Sequence, residues 1–175
     1  FTNNGTFIAE PGSTVRFQGT VNQSINGNLI GTNGFANLVI LKATVTVTLN
    51  SNIDVSQNFS TQSATSIFNI NGKTMKIGGD FTNNSGNTTF TGIANSNVEF
   101  DGTINQFFTN VNGVAGISLN RVKMNKPSGK LYLIGANSKL TIDSVLTLAQ
   151  GIIVTRNVAA LEVYVRNNAT SAVIG

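Results

Sequence analysis

Two of the chain's seven acidic residues, Glu99 and Asp101, stand two positions apart in the stretch NVEFDGT. On a β-strand that spacing turns both carboxylates to the same side. Such a pair could hold a sugar or a metal ion, and a glycosidase needs two carboxyl groups opposed across a cleft. The other acids (Glu10, Asp54, Asp80, Asp143 and Glu162) are scattered, and no run is dense enough for a calcium cluster. Histidine and cysteine are both absent, which removes the commonest general base and metal ligand and all thiolate chemistry. The expectation is therefore no catalytic residue, no metal site and no cofactor.

The chain itself weakens the case for Glu99 and Asp101. Residues 13–23, STVRFQGTVNQ, align with residues 96–106, SNVEFDGTINQ, and each copy follows an FTNN opening, at Phe1 and at Phe81. Val15, Phe17 and Val21 match Val98, Phe100 and Ile104, while Arg16 and Gln18 replace the two acids. Retained apolar and drifting polar positions alternate, as in a strand with one face buried and one wet. This register places Phe17 and Phe100 inward and Gln18, Glu99 and Asp101 in solvent. The acids read as exposed strand charges.

The basic residues are equally uncommitted. Net charge is only +4, and the one enrichment is Arg121, Lys123, Lys126 and Lys130, with Lys139 further on. No aromatic lies between Arg121 and Lys130, so nucleic acid is not an expected partner. They read as a solvated strand face, or as a weak contact for anionic polysaccharide or lipopolysaccharide.

The elements that carry these residues are strands. Only 10% of the chain is charged, while 26 Asn, 21 Thr and 14 Ser take up the polar share. Thr favours strands, and Asn with Gly favours turns. Strands are expected at 37–42, 44–50, 53–59, 66–71, 73–79, 116–124, 130–135, 139–149, 152–155 and 161–166, separated by Asn-Gly, Gly-Gly and Pro-Ser-Gly turns. Thr44, Thr46 and Thr48 would line one face of a strand, but the next strands do not repeat them, so no flat Thr array is expected. All 11 Phe lie at or before residue 108, with Phe81, Phe90 and Phe100 echoing Phe1, Phe7 and Phe17. Self-similar units with recurring apolar positions point to stacking. The expected fold is all-β, a right-handed parallel β-helix (β-solenoid), with tandem β-sandwich repeats as the alternative. Residues 1–80 would form a first repeat unit and 81–175 a second unit of the same solenoid. Both ends read as cut from a longer protein, and no apolar run approaches the ~20 residues of a membrane helix.

The pattern F-T-N-N-(S)-G-x-T-F, V-x-F-x-G-T-x-N-Q, N-L-V-I and T-L-N-S-N-I-D-V resembles repeats of large secreted surface proteins of the Bacteroidetes. These are type 9 secretion cargo and include the gliding-motility adhesins. The resemblance covers residues 1 to about 110 well and the rest loosely. It implies an extracellular structural or adhesive segment without catalysis, or alternatively a polysaccharide-binding or polysaccharide-degrading β-helix. The implied partners are surface polysaccharide or the secretion and outer-membrane machinery. Asp143-Ser144-Val145 also resembles the acceptor triplet of Bacteroidetes O-glycosylation, which marks Ser144 as the one candidate modification site.

Overall fold

Parallel pairing dominates because each strand is followed by a corner rather than a hairpin. The computed structural model describes residues 1–86, 90, 94–111, 116–156 and 161–175. Over these residues it is all-β, without α-helix, and winds as a β-solenoid of about seven turns. Every described strand pair is parallel. That excludes the antiparallel sandwich alternative.

Three faces follow one another in each turn. Face one carries β1 (Thr2–Asn3), β3 (Gln23–Gly27), β5 (Thr46–Leu49), β8 (Ile67–Asn69) and β15 (Val163–Val165). Face two carries β6 (Ile53–Val55), β9 (Thr74–Ile77), β11 (Asn97–Phe100) and β16 (Val173–Ile174). Face three carries β2 (Thr14–Gly19), β4 (Asn37–Lys42), β7 (Phe59–Thr61), β10 (Phe81–Asn83) and β12 (Gln106–Asn110). The long β13 (Ile117–Ile134) and β14 (Leu140–Val154) each run across all three faces, with register shifts at the bends. Stacked positions lie 21 residues apart at Leu38–Phe59 and 27 apart at Phe81–Phe108.

Alternation along each short strand sends every second side chain into the tube. Ile53, Val55, Met75, Ile77, Val98 and Phe100 are buried on face two, and Phe59, Phe81 and Phe108 on face three. The last three form an axial stack, with ring centroids 5.3 Å and then 4.9 Å apart. Phe81, Phe90 and Phe100 do not stack along the axis. They stand on the three faces of a single turn and meet across the lumen, at 5.3 Å for Phe81–Phe90 and 6.3 Å for Phe81–Phe100. Each fully buried aromatic contributes on the order of 3 kcal/mol of transfer free energy, so the filled lumen holds the turns together.

The 83-residue repeat has a different meaning from the stacking period. Following the ladder from Val15 through Leu38 and Phe59 to Phe81 covers three turns on face three. Val98, the sequence partner of Val15, lies two faces further on, on face two. Likewise Thr2–Asn3 sits on face one, and its copy Thr82–Asn83 on face three. The copies are therefore not superposed layers but the same piece of chain used at different corners of a three-sided tube. Their Asn has one job in both places: Oδ1 of Asn3 accepts from Gly5 N at 3.2 Å, and Oδ1 of Asn83 from Ser85 N at 3.2 Å. An Asn that hydrogen-bonds the backbone two residues on turns the chain out of a strand, which is what a corner requires. Two retained apolar residues are corrections to the inward reading. Val21 and Ile104 are 66% and 70% exposed, because they belong to the corners and not to strands.

Candidate functional site: the outer groove of face two

Glu99 and Asp101 sit at and just beyond the end of β11, on the outside of face two. Cross-rung register makes their row a ladder of alternating sign: Asp54 pairs Lys76, Lys76 pairs Glu99, and Glu99 pairs Lys123. Opposite charges directly across a ladder attract, whereas a same-sign column would repel. Glu99 departs from the expected exposure. It is only 5% exposed, because Lys123 Nζ lies 3.3 Å away and Asn125 Nδ2 donates to it at 2.7 Å. The pair of carboxylates is thus divided between two tasks. Glu99 is locked into the ladder, while Asp101 faces a hollow. Burial holds the Asp101 carboxyl above its ordinary range, the Glu99 and Asp54 carboxylates add to the rise, and Lys76 opposes it.

The groove floor is made by β6, β9, β11 and the middle of β13. A hollow of about 620 Å³ runs past Asn52, Thr74, Asn97 and the charged ladder to the Ile30–Thr32 loop. That loop forms a wall because Gly31 N donates to Asp54 Oδ2 at 2.6 Å, tying a one-turn 3₁₀ segment (Gly31–Asn33) onto the next rung. A contiguous hollow of about 300 Å³ lies between Asp54, Lys76, Gly78, Asp101 and Thr103. No aromatic ring lines either part. Among the described residues no group of three or more His, Cys, Asp or Glu is arranged to hold a metal ion.

The basic enrichment does not form a patch. Lys123 is spent on Glu99, and Lys139 pairs with Glu162 and lies over the Tyr164 ring at 5.1 Å. Lys126 is 1% exposed, with Nζ donating to Gly102 O at 2.7 Å, Ile104 O at 2.9 Å and Gln106 Oε1 at 2.6 Å. Burial lowers its pKa, opposed by Asp101. Arg121 and Lys130 remain exposed on different faces.

The Lys126 cage explains what the repeated corner GTxNQ does, a role that the sequence reading missed. In the first copy Lys42, also fully buried, donates to Val21 O at 2.6 Å and Gly19 O at 3.5 Å. Each corner offers the carbonyls of its Gly and its apolar residue to an ammonium from the next rung. The available signal was a Lys 23 or 24 residues beyond the corner glycine, which only the stacking period makes meaningful. In the second copy Gln106 Nε2 also reaches Ile77 O at 2.9 Å and Gly79 O, so one corner binds the rung on each side. In the first copy the buried Gln23 Oε1 has no hydrogen-bond partner among the described residues.

Thr44 falls outside β5 at φ +64°, so the Thr row is broken at a corner. Ser144 lies where β14 bends from face one to face two, half-buried, with its carbonyl accepting from Asn167 Nδ2 at 3.0 Å. Its neighbour Asp143 is engaged by Ser118 Oγ at 2.5 Å and by Arg166 at 2.9 Å. Among the described residues no helix is long and apolar enough to cross a membrane. Comparison with protein-family models, with curated proteins and with solved structures finds no match.

Proposed function

We propose that the chain is a non-catalytic structural and adhesive segment of a large secreted surface protein, as the resemblance to Bacteroidetes type 9 cargo and gliding adhesins implies. One observation supports this reading above the rest: the residues that the chain repeats are spent on stacking. The FTNN asparagines turn corners, the GTxNQ corners cage lysines, and the phenylalanines fill the lumen. A chain whose repeated residues mostly serve its corners and the contacts between rungs is built for extent and rigidity. Of the two carboxylates that could have formed a hydrolytic pair, Glu99 is neutralised by Lys123. The partners in this reading are surface polysaccharide or the secretion and outer-membrane machinery, and Ser144 is its glycan acceptor.

Protease shaving of intact source cells tests the location. Release of peptides from this segment is expected; a segment recovered only from the cytoplasm would overturn the reading. Incubation with polysaccharides, followed by reducing-end assay, tests the absence of catalysis. Cleavage that disappears in the Glu99→Gln/Asp101→Asn double variant would establish the degradative alternative instead. Peptide mass mapping of Ser144 from the native source decides the modification.

A further inference from the structure

Nearly every acid on the tube is already engaged. Asp54 accepts from Gly31 N, Asp80 from Phe107 N, Glu99 from Lys123 and Asn125, Asp143 from Ser118 and Arg166, and Glu162 from Lys139. Glu10 lies exposed in the loop before β2. Asp101 alone is half-buried with no other described residue hydrogen-bonded or ion-paired to its carboxylate. Lys76 is its cationic counterpart. It is half-buried in the middle of the charged ladder, and its ammonium makes no hydrogen bond or ion pair with a described residue.

Both side chains border the hollow over Gly78, with Asp54 on the far side. The hollow persists for a packing reason. A Cβ at Gly78 would meet Ser56 O at 2.4 Å, so no side chain can rise there to fill the space. Two carboxylates accept, an ammonium donates, and the nearby Thr103 hydroxyl does both. Clustered hydroxyls complement that set, since each can donate to a carboxylate while accepting from the ammonium, and charge-assisted bonds are the stronger kind. One lysine against two aspartates leaves the rim with an excess negative charge, which disfavours a polyanion. We propose that the hollow over Gly78 is a saccharide subsite, in which Asp101 and Asp54 accept from hydroxyls of a net-neutral glycan and Lys76 donates to its oxygens.

The proposal deepens the adhesive reading and rests on it for its biological sense, but its test is independent of where the protein resides. Amide-resolved NMR titration of the intact chain would use cello-, manno-, malto- and chito-hexaose as neutral probes, with oligogalacturonate as the charged comparison. At least one neutral hexaose should move the Lys76, Asp101 and Thr103 resonances. Lys76→Met and the near-isosteric Asp101→Asn should each weaken that binding about tenfold or more, the loss of one charge-assisted bond. Gln18→Ala, at the matching position of the other copy, should leave it unchanged. Unchanged far-UV circular dichroism of each variant separates lost binding from lost fold. Silence from all four neutral probes, response to oligogalacturonate alone, or binding that survives both groove variants would each overturn the proposal. Such a failure would leave the outcome of the cell-shaving experiment unaffected.

Discussion

At the scale of single residues, burial and partner decide more than charge or hydropathy. Phe100 is fully buried, so Phe100→Ala should cost about 3–5 kcal/mol in urea unfolding. Asp101, one residue on, behaves oppositely and its effect depends on pH. Its folded pKa lies above the ordinary value of 3.8, so the fold disfavours its charged form. Below that ordinary value the group is neutral in both states and costs nothing. As pH rises through the folded pKa, stability is lost. Asp101→Asn should therefore be more stable than the parent at pH 7, and the difference should vanish at low pH. Thermal unfolding across pH 3 to 7 checks the sign; an advantage that grew on acidification would refute it. Lys126→Met keeps the stem's packing but takes the ammonium from Gly102 O and Ile104 O and leaves Gln106 Oε1 only the 3.3 Å bond from Gly102 N, and should cost about 2–3 kcal/mol. Lys42→Met orphans only two carbonyls, one of them at 3.5 Å, and should cost less.

At the scale of elements, corners rather than strands carry the specificity. The strands are short, and many apolar residues would fill them. The corners require particular atoms. Gly102 lets its rung close onto the one before it, since a Cβ there would sit 2.0 Å from Gly78 O. Gly102→Ala should therefore destabilise by more than about 2 kcal/mol, beyond what added side-chain bulk costs on a surface. Where β7, β10 and β12 end, Thr61 Oγ1 donates to Asn83 Oδ1 at 2.6 Å, and Asn83 Nδ2 to Asn110 Oδ1 at 2.8 Å. All three residues are buried, so each hydrogen bond is obligatory. Asn83→Ala breaks the chain of bonds at its centre, and a loss of about 2–3 kcal/mol in chemical denaturation is the expected outcome. A loss no greater than that of a surface substitution would mean that water replaces the ladder.

At the scale of the whole molecule, about seven turns at ~4.8 Å each make a tube on the order of 34 Å long. Stability in such a stack is close to a sum of rung and neighbour terms, so it should vary along the axis. The middle turns combine the Phe59–Phe81–Phe108 stack, the Asn83 ladder and the Lys126 cage. The last turns have Ile152, Val173 and Ile174 about half exposed and no axial Phe stack. Amide hydrogen exchange should be slowest in β7, β10 and β11 and fastest in β15 and β16. Uniform protection from end to end would contradict an additive stack.

The amino-acid pattern by itself determined the class of fold. Alternation in NLVILK and NVEF, glycine and asparagine punctuation and the recurring Phe are local signals, and they specify short strands with one buried face. The inward places of Phe17 and Phe100 could be read for the same reason. Expected strand 53–59 instead divides into β6 and β7 on two faces, because Ser56–Asn58 form a corner that strand periodicity does not mark. Only the tertiary structure decided which residues meet: the burial of Glu99 beside Lys123, the caging of Lys42 and Lys126, and the freedom of Asp101 and Lys76. Each depends on what the neighbouring turn brings alongside, at stacking distances that vary from 21 to 27 residues along the chain. A turn of variable length has no fixed spacing from which those partners could be read, so winding the tube alone brings them together.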